Sequence, residues 1–226
     1  MNRILRIAAV AACAMLSLAA SPPHPDWNAT IAQRPNGSHT LGNPDAAVKV
    51  TEYVSYTCPH CARFNQEADA PLRLAYVAPG KVSVTVQHLI RDPIDLTVAM
   101  LANCGDQKLF FRRHNAFMAT QDKWMGKLDS FTPAQQARWS TGAISARLKA
   151  IADDFGFYAT MQQWGFDRPA VDRCLADPAM AKTILDQTHE ASELGVDSTP
   201  SFAINGTLLA DTHTWSALDT QIKARM

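Results

Sequence analysis

A β-branched run from Val48 to Val54 leads, within four residues, into Cys58-Pro59-His60-Cys61. The run reads as a buried strand. A proline just after Cys58 suits the first turn of a helix, where its missing N–H is not needed. That helix should run from Cys58 to about Leu74, with Pro79-Gly80 closing the segment and Val82 to Leu89 forming a second strand. A strand, a helix and a strand this close make a βαβ unit, whose two strands pair in parallel. The two thiols then stand one turn apart at the amino end of the helix. Its unpaired N–H groups and positive dipole end favour the thiolate of Cys58. A thiolate is the species that attacks and leaves in disulfide exchange.

Whether such a pair is redox-active or half a zinc site depends on the compartment. Arg3 and Arg6 form a positive n-region, and Ile7 to Ala20 is an uninterrupted apolar run. Small residues at Ser17-Leu18-Ala19 or Leu18-Ala19-Ala20 offer a cleavage site, so residues 1–20 read as a signal peptide. At roughly fourteen residues the run is short for a spanning helix, which needs about 20; a retained anchor is the alternative. Export places the thiols in an oxidising compartment. Removing the signal takes Cys13 and leaves Cys58, Cys61, Cys104 and Cys174. Four cysteines suit two disulfides, and spacing alone allows three connectivities. The 21 basic and 21 acidic side chains cancel, which gives no reason to expect nucleic acid or an anionic membrane surface as a partner.

Residues 21–46 are rich in Pro, Asn, Ser and Gly and read as a leader, with one short edge strand near Trp27 to Ile31 and a turn at Gly42-Asn43-Pro44-Asp45. After the βαβ unit come about a hundred residues of helical spacing. Thr132-Pro133-Ala134-Gln135 is a capping-box start. Ile144, Leu148, Ile151 and Phe155 mark one apolar face, and Asp167 and Asp177 look like N-caps. Ser201 to Ile204 and Thr207 to Leu209 flank Asn205-Gly206, a two-residue hairpin signal. Thr214 caps a last helix with Trp215, Leu218 and Ile222 on its inner face. The tryptophans and Phe110, Phe111, Phe155 and Phe157 read as core.

This order of βαβ, helical insertion and ββα, with Cys58-Pro59-His60-Cys61 between strand and helix and Ser198-Thr199-Pro200-Ser201 before the terminal hairpin, resembles the thioredoxin fold. The insertion, and proline and histidine between the cysteines, look more specifically like the periplasmic DsbA family. The resemblance runs from about Gly42 to the C-terminus. Asn43-Pro44-Asp45-Ala46, Glu52 through Cys61, Gly195-Val196 and Thr199-Pro200 carry most of it. The fold class implied is α/β, a thioredoxin fold with an all-helical insertion. The thioredoxin domain spans 47–92 and 192–226, and the inserted subdomain 93–191.

The resemblance implies site roles. Cys58 is the nucleophile, Cys61 the deeper resolving thiol, and a polar or protonated imidazole of His60 favours the Cys58 thiolate. Pro200 lies in cis beside the thiols and leaves the backbone of Thr199 free to pair with an extended substrate. Here the chain departs from the best-known oxidants, which often have valine at the position of Thr199. Threonine is common in isomerase-like and other DsbA-like members. Glu52 stands where the family keeps a buried acid, able to relay the proton of Cys61; the other reading is an outward-facing strand glutamate. The family's basic partner on the second strand is missing, with Val86 or Gln87 in its place. Cys104 and Cys174 are expected as a structural disulfide of the insertion. No cofactor is implied. Zinc would want two more ligands in a cluster, and although His60 and His88 are available there is no second Cys-X-X-Cys.

The expected activity is a periplasmic, monomeric thiol:disulfide oxidoreductase that introduces disulfides into reduced, unfolded secreted proteins. A membrane oxidase of the DsbB type would recharge it. The rivals are an isomerase or reductase kept reduced, and a metal-binding thiol chaperone.

Overall fold

The computed structural model describes residues 25–226. The expected signal peptide and Cys13 lie outside the described residues. Six strands form one mixed sheet: β1 (Ile31–Gln33), β2 (His39–Gly42), β3 (Val48–Val54), β4 (Val82–His88), β5 (Ser201–Ile204) and β6 (Thr207–Leu208). Their order across the sheet is β1-β2-β4-β3-β5-β6. The central pair β3/β4 is parallel, with Val50 opposite Val84 and Glu52 opposite Val86. Every residue of β4 is buried, as expected of a parallel strand covered on both faces.

Helix α1 (Pro59–Leu72) follows β3. Cys58 is its extended N-cap residue and Pro59 its first helical residue, so the chain enters the helix with one orphan N–H fewer. Pro71 then denies the helix an N–H near its end, and the chain widens into a π-helical segment over Arg73–Val77, a known response of the hydrogen-bond ladder to local disruption.

Between β4 and β5 the chain is helical: α2 (Pro93–Ala102), α3 (Phe110–Ala119), α4 (Gln121–Met125), α5 (Pro133–Ser140), α6 (Ile144–Asp154), α7 (Phe157–Gln162), α8 (Arg168–Leu175) and α9 (Pro178–Glu193). Thr132 and Gln135 form the reciprocal capping box of α5, and the Asp167 and Asp177 side chains cap α8 and α9. Cys104 and Cys174 are joined in a disulfide. Asn205 and Gly206 take the two left-handed positions of the β5–β6 turn, the arrangement that matches strand twist. Helix α10 (Trp215–Lys223) is capped by Thr214.

Helix α1 covers one face of the sheet, where Phe64 packs on Phe202 with ring centroids 4.6 Å apart. Helix α9 lies on the other face beside β4; the Gln187 side chain accepts from the His88 N–H at 2.9 Å. At the sheet's edge the structure differs from the sequence reading. Two strands, Ile31–Gln33 and His39–Gly42, form an antiparallel pair where one strand was expected over Trp27–Ile31. The short polar run His39-Thr40-Leu41-Gly42 is held as a strand by its partner β4, through contacts that local propensity does not register.

Candidate active site

The amino end of α1 faces the turn before β5. Cys58 and Cys61 are both free thiols and both buried. The Thr199–Pro200 peptide bond is cis, and the Thr199 carbonyl lies 3.1 Å from the Cys58 Sγ, accepting from it in the thiol form. The Cys58 thiol is lowered to about 5. The largest cause is a hydrogen bond from the Cys61 thiol; burial opposes it, and the Thr199 hydroxyl and the N–H groups of Cys61 and His60 assist. Thr199 thus acts in two directions, its hydroxyl supporting the anion and its carbonyl disfavouring it. Cys61 is pushed well above the ordinary thiol range, chiefly by burial, then by the adjacent Cys58. One sulfur is prepared to be an anion and the other to keep its proton.

Glu52 points from β3 toward α1, not outward. It is 5% exposed, and its Oε1 has no hydrogen-bond partner among the described residues. Burial, with the Asp69 charge adding to it, lifts its carboxyl to about 8. Val86 sits opposite it, so the β4 position facing Glu52 offers no basic side chain. The charge of Glu52 in turn raises Cys61. The side chain of His60 is exposed and makes no hydrogen bond among the described residues; its backbone N–H is what reaches the Cys58 sulfur. Pro59 and His60 line the mouth of a groove of about 400 Å³, together with Leu89, Arg91, Asp197 and Thr199.

Three further residues hold this site, and sequence reasoning missed them. The buried Asp95 carboxylate accepts from the Tyr56 N–H at 2.7 Å, the Ser55 hydroxyl at 2.6 Å and the Arg91 N–H at 3.0 Å. Burial nonetheless lifts it to about 7. Asp92, the N-cap of α2, accepts from the Thr57 hydroxyl at 2.7 Å. From α4, the Gln121 amide donates to the carbonyls of Tyr56 and Cys58 at 2.7 and 2.8 Å. The loop that carries Cys58 is therefore clamped by the first and third helices of the insertion. Asp92-Pro93 offered a cap signal; nothing local pointed to Gln121. Among the described residues no cluster of three or more His, Cys, Asp or Glu side chains could hold a metal ion.

A family model described as thioredoxin matches residues 35–224. The chain belongs to the thioredoxin family. Within that family it has the architecture of the DsbA-like thiol:disulfide oxidoreductases. A solved protein-disulfide isomerase from Novosphingobium aromaticivorans is 47% identical, with a TM-score of 0.81 over 84% of this chain and 97% of that one. A putative protein-disulfide oxidoreductase of Rickettsia typhi is 30% identical over 76% of this chain and 56% of the relative. The chain thus spans about half the length of the curated relatives it matches. Wolbachia pipientis alpha-DsbA1, 21% identical with a TM-score of 0.65 over 82% of this chain and 88% of that one, shares the fold.

Proposed function

We propose that this chain is an exported, periplasmic oxidant that passes its Cys58–Cys61 disulfide to reduced, unfolded secreted proteins. The observation that carries this reading is the pair of free thiols at the amino end of α1, with Cys58 Sγ 3.1 Å from the Thr199 carbonyl before the cis Pro200; hydrogen bonds there lower Cys58 to about 5, and burial pushes Cys61 above the ordinary range. A stabilised Cys58 thiolate favours the reduced form, so the oxidised form is readily given away. A substrate thiolate attacks Cys58 Sγ, and Cys61 leaves as a thiolate and takes a proton from the Glu52 carboxyl. The substrate's second thiolate then attacks the substrate sulfur of the mixed disulfide and expels Cys58 as a thiolate. Two electrons pass from substrate to enzyme. The substrate loses two protons and Cys61 gains one.

In this reading residues 47–92 and 192–226 carry the chemistry, and 93–191 hold the active loop and frame the groove. Pro59 sets the helix start, and Thr199 and Pro200 present backbone to an extended substrate strand. The enzyme acts as a monomer, with its signal peptide removed on export, and a DsbB-like membrane oxidase recharges it. Incubation with a reduced, denatured disulfide protein tests this: recovery of native substrate is expected, and a Cys58→Ser variant with unchanged recovery would overturn the reading.

A second reading, isomerase or reductase, is favoured by Thr199 and by the name of the Novosphingobium relative. Thiol trapping in intact cells separates the two. A mostly oxidised Cys58–Cys61 pair supports donation, and a mostly reduced pair supports the rival.

A further inference from the structure

Beneath the thiols, on the α1 side of the sheet, lies a cavity of about 30 Å³ lined by Glu52, Phe64, Ala68, Asp69, His114 and Asn115 among others. A water needs about 10–15 Å³ of such space and at least two polar partners, so there is room for about two. The buried Glu52, whose Oε1 has no hydrogen-bond partner among the described residues, lines this cavity. At the cavity's outer wall, Asp69 Oδ1 accepts from Arg73 Nε at 2.6 Å and from Asn115 Nδ2 at 2.8 Å. Asn115 Oδ1 in turn accepts from Asn65 at 3.0 Å. Both donors take the same oxygen, which leaves Asp69 Oδ2 without a protein partner among the described residues. The Asp69 side chain is 39% exposed, whereas Glu52 is 5% exposed. One carboxyl is therefore sealed in the interior, near enough for its charge to raise Cys61, and the other reaches solvent, and both line the same water-sized space.

We propose that Asp69 is the solvent-facing station of a proton route that runs through the cavity water to Glu52 and so to Cys61. The proposal rests on the thiol–disulfide reading above. When Cys61 leaves as a thiolate, Glu52 gives it a proton and becomes a carboxylate. Cavity water reprotonates Glu52 and is itself reprotonated at Asp69, which takes its proton from bulk solvent. Recharging of the disulfide runs the same transfers outward. The groups facing the route are Cys58 and Cys61 above it, Arg73 and Asp69 on α1 or its extension, and His114 on α3. Burial keeps His114 neutral, and its Nδ1 is occupied by the Tyr56 hydroxyl at 2.9 Å, so it does not compete as a carrier.

The test is stopped-flow reduction of the oxidised full chain by dithiothreitol in dilute buffer, repeated with rising imidazole. Asp69→Asn keeps the shape and removes the carboxylate that would pass the proton. Reduction is expected to slow about tenfold, below the range of about 10²–10⁴ for direct proton transfer, and to recover as imidazole is added or in Asp69→Glu. Ala68→Val fills the cavity without changing any charge and is expected to slow reduction similarly. The equilibrium constant against glutathione, measured alongside, separates a kinetic defect from a changed potential. Wild-type rates in Asp69→Asn and Ala68→Val, beside a slow Glu52→Gln, would overturn the route and leave Glu52 its role. A slow Asp69→Asn that imidazole does not rescue would also overturn it, since that marks a structural effect. Wild-type rates in Glu52→Gln would sink the proton role of Glu52. Retained reduction chemistry in Cys58→Ser would sink the thiol reading itself.

Discussion

Lowering the pH from 7 to 5 should shift the equilibrium between the Cys58–Cys61 pair and glutathione by about fiftyfold toward the oxidised enzyme. Exchange of the enzyme disulfide with two ordinary thiols conserves protons if both enzyme thiols stay protonated, and its constant is then independent of pH. With Cys58 lowered to about 5, reduction of the enzyme instead releases one proton. The constant then rises about tenfold per pH unit between about 5 and 8.5, where ordinary thiols begin to ionise. For a two-electron couple this is about 30 mV per unit. A depressed thiol pKa stabilises the reduced form at high pH, and that stabilisation disappears as the pH falls through about 5. At pH 7 it amounts to about two units, or ~2.7 kcal/mol. Cys61, held above the ordinary range, stays protonated across this window and adds no slope. Alkylation followed by intact mass, in glutathione buffers at pH 5, 6, 7 and 8, reads the constant directly. Glu52 is lifted to about 8, so Glu52→Gln is measured beside the parent chain to remove its proton from the balance. A constant that stays flat from pH 5 to 8 in both proteins would mean that Cys58 titrates like a free cysteine, and the proposed oxidant would have no driving force.

Replacing Gln121 with Leu should remove about 2–3 kcal/mol of stability by urea unfolding, because two buried carbonyls, those of Tyr56 and Cys58, lose their donor; an unchanged midpoint would refute the clamp. The buried His39, His88 and His114 are lowered by burial to about 4, 3 and 3. The unfolded chain therefore binds their protons first, and each removes about 1.4 kcal/mol per pH unit below 6.5. The raised carboxyls of Glu52 and Asp95 act in the opposite direction, since the folded chain binds their protons more tightly. Chemical unfolding of His114→Gln at pH 4.5 to 6.5 should show an acid limb shallower by about 1.4 kcal/mol per unit, and a limb parallel to the parent's would refute it. The double variant Cys104→Ala/Cys174→Ala, which opens a loop of 70 residues, should lose roughly 4 kcal/mol in the loop-entropy model. Thiol counting on the oxidised, denatured protein lacking residues 1–20, and so Cys13, should find none free; two would refute the second bridge.

What could be read from the sequence was local. The βαβ unit, the caps at Thr132, Asp167, Asp177 and Thr214, and the Asn205-Gly206 turn each satisfy backbone groups within a few residues, so their signals lie within a few residues. The direction of Glu52 could not be settled this way. Glu52 and its neighbours Tyr53 and Val54 are all buried, and a strand covered on both faces loses the alternation that would say which side a residue takes. The residues that hold the active loop were out of reach for a different reason. Asp95 bonds Tyr56 across 39 residues, and Gln121 bonds Cys58 across 63, distances over which no periodicity carries. Yet these contacts bear on the chemistry as directly as the cysteines do. The Cys58 thiolate depends first on the Cys61 thiol and the Thr199 hydroxyl, and then on amides already aimed at its sulfur. Those amides stay aimed only if the loop from Ser55 to Cys58 does not relax when the sulfur changes charge or partner. The bonds that prevent relaxation come from α2 and α4, inside the insertion. Through these hydrogen bonds α2 and α4 hold the backbone on which Cys58 sits, so the support of the thiol comes from helices remote in sequence from the two cysteines.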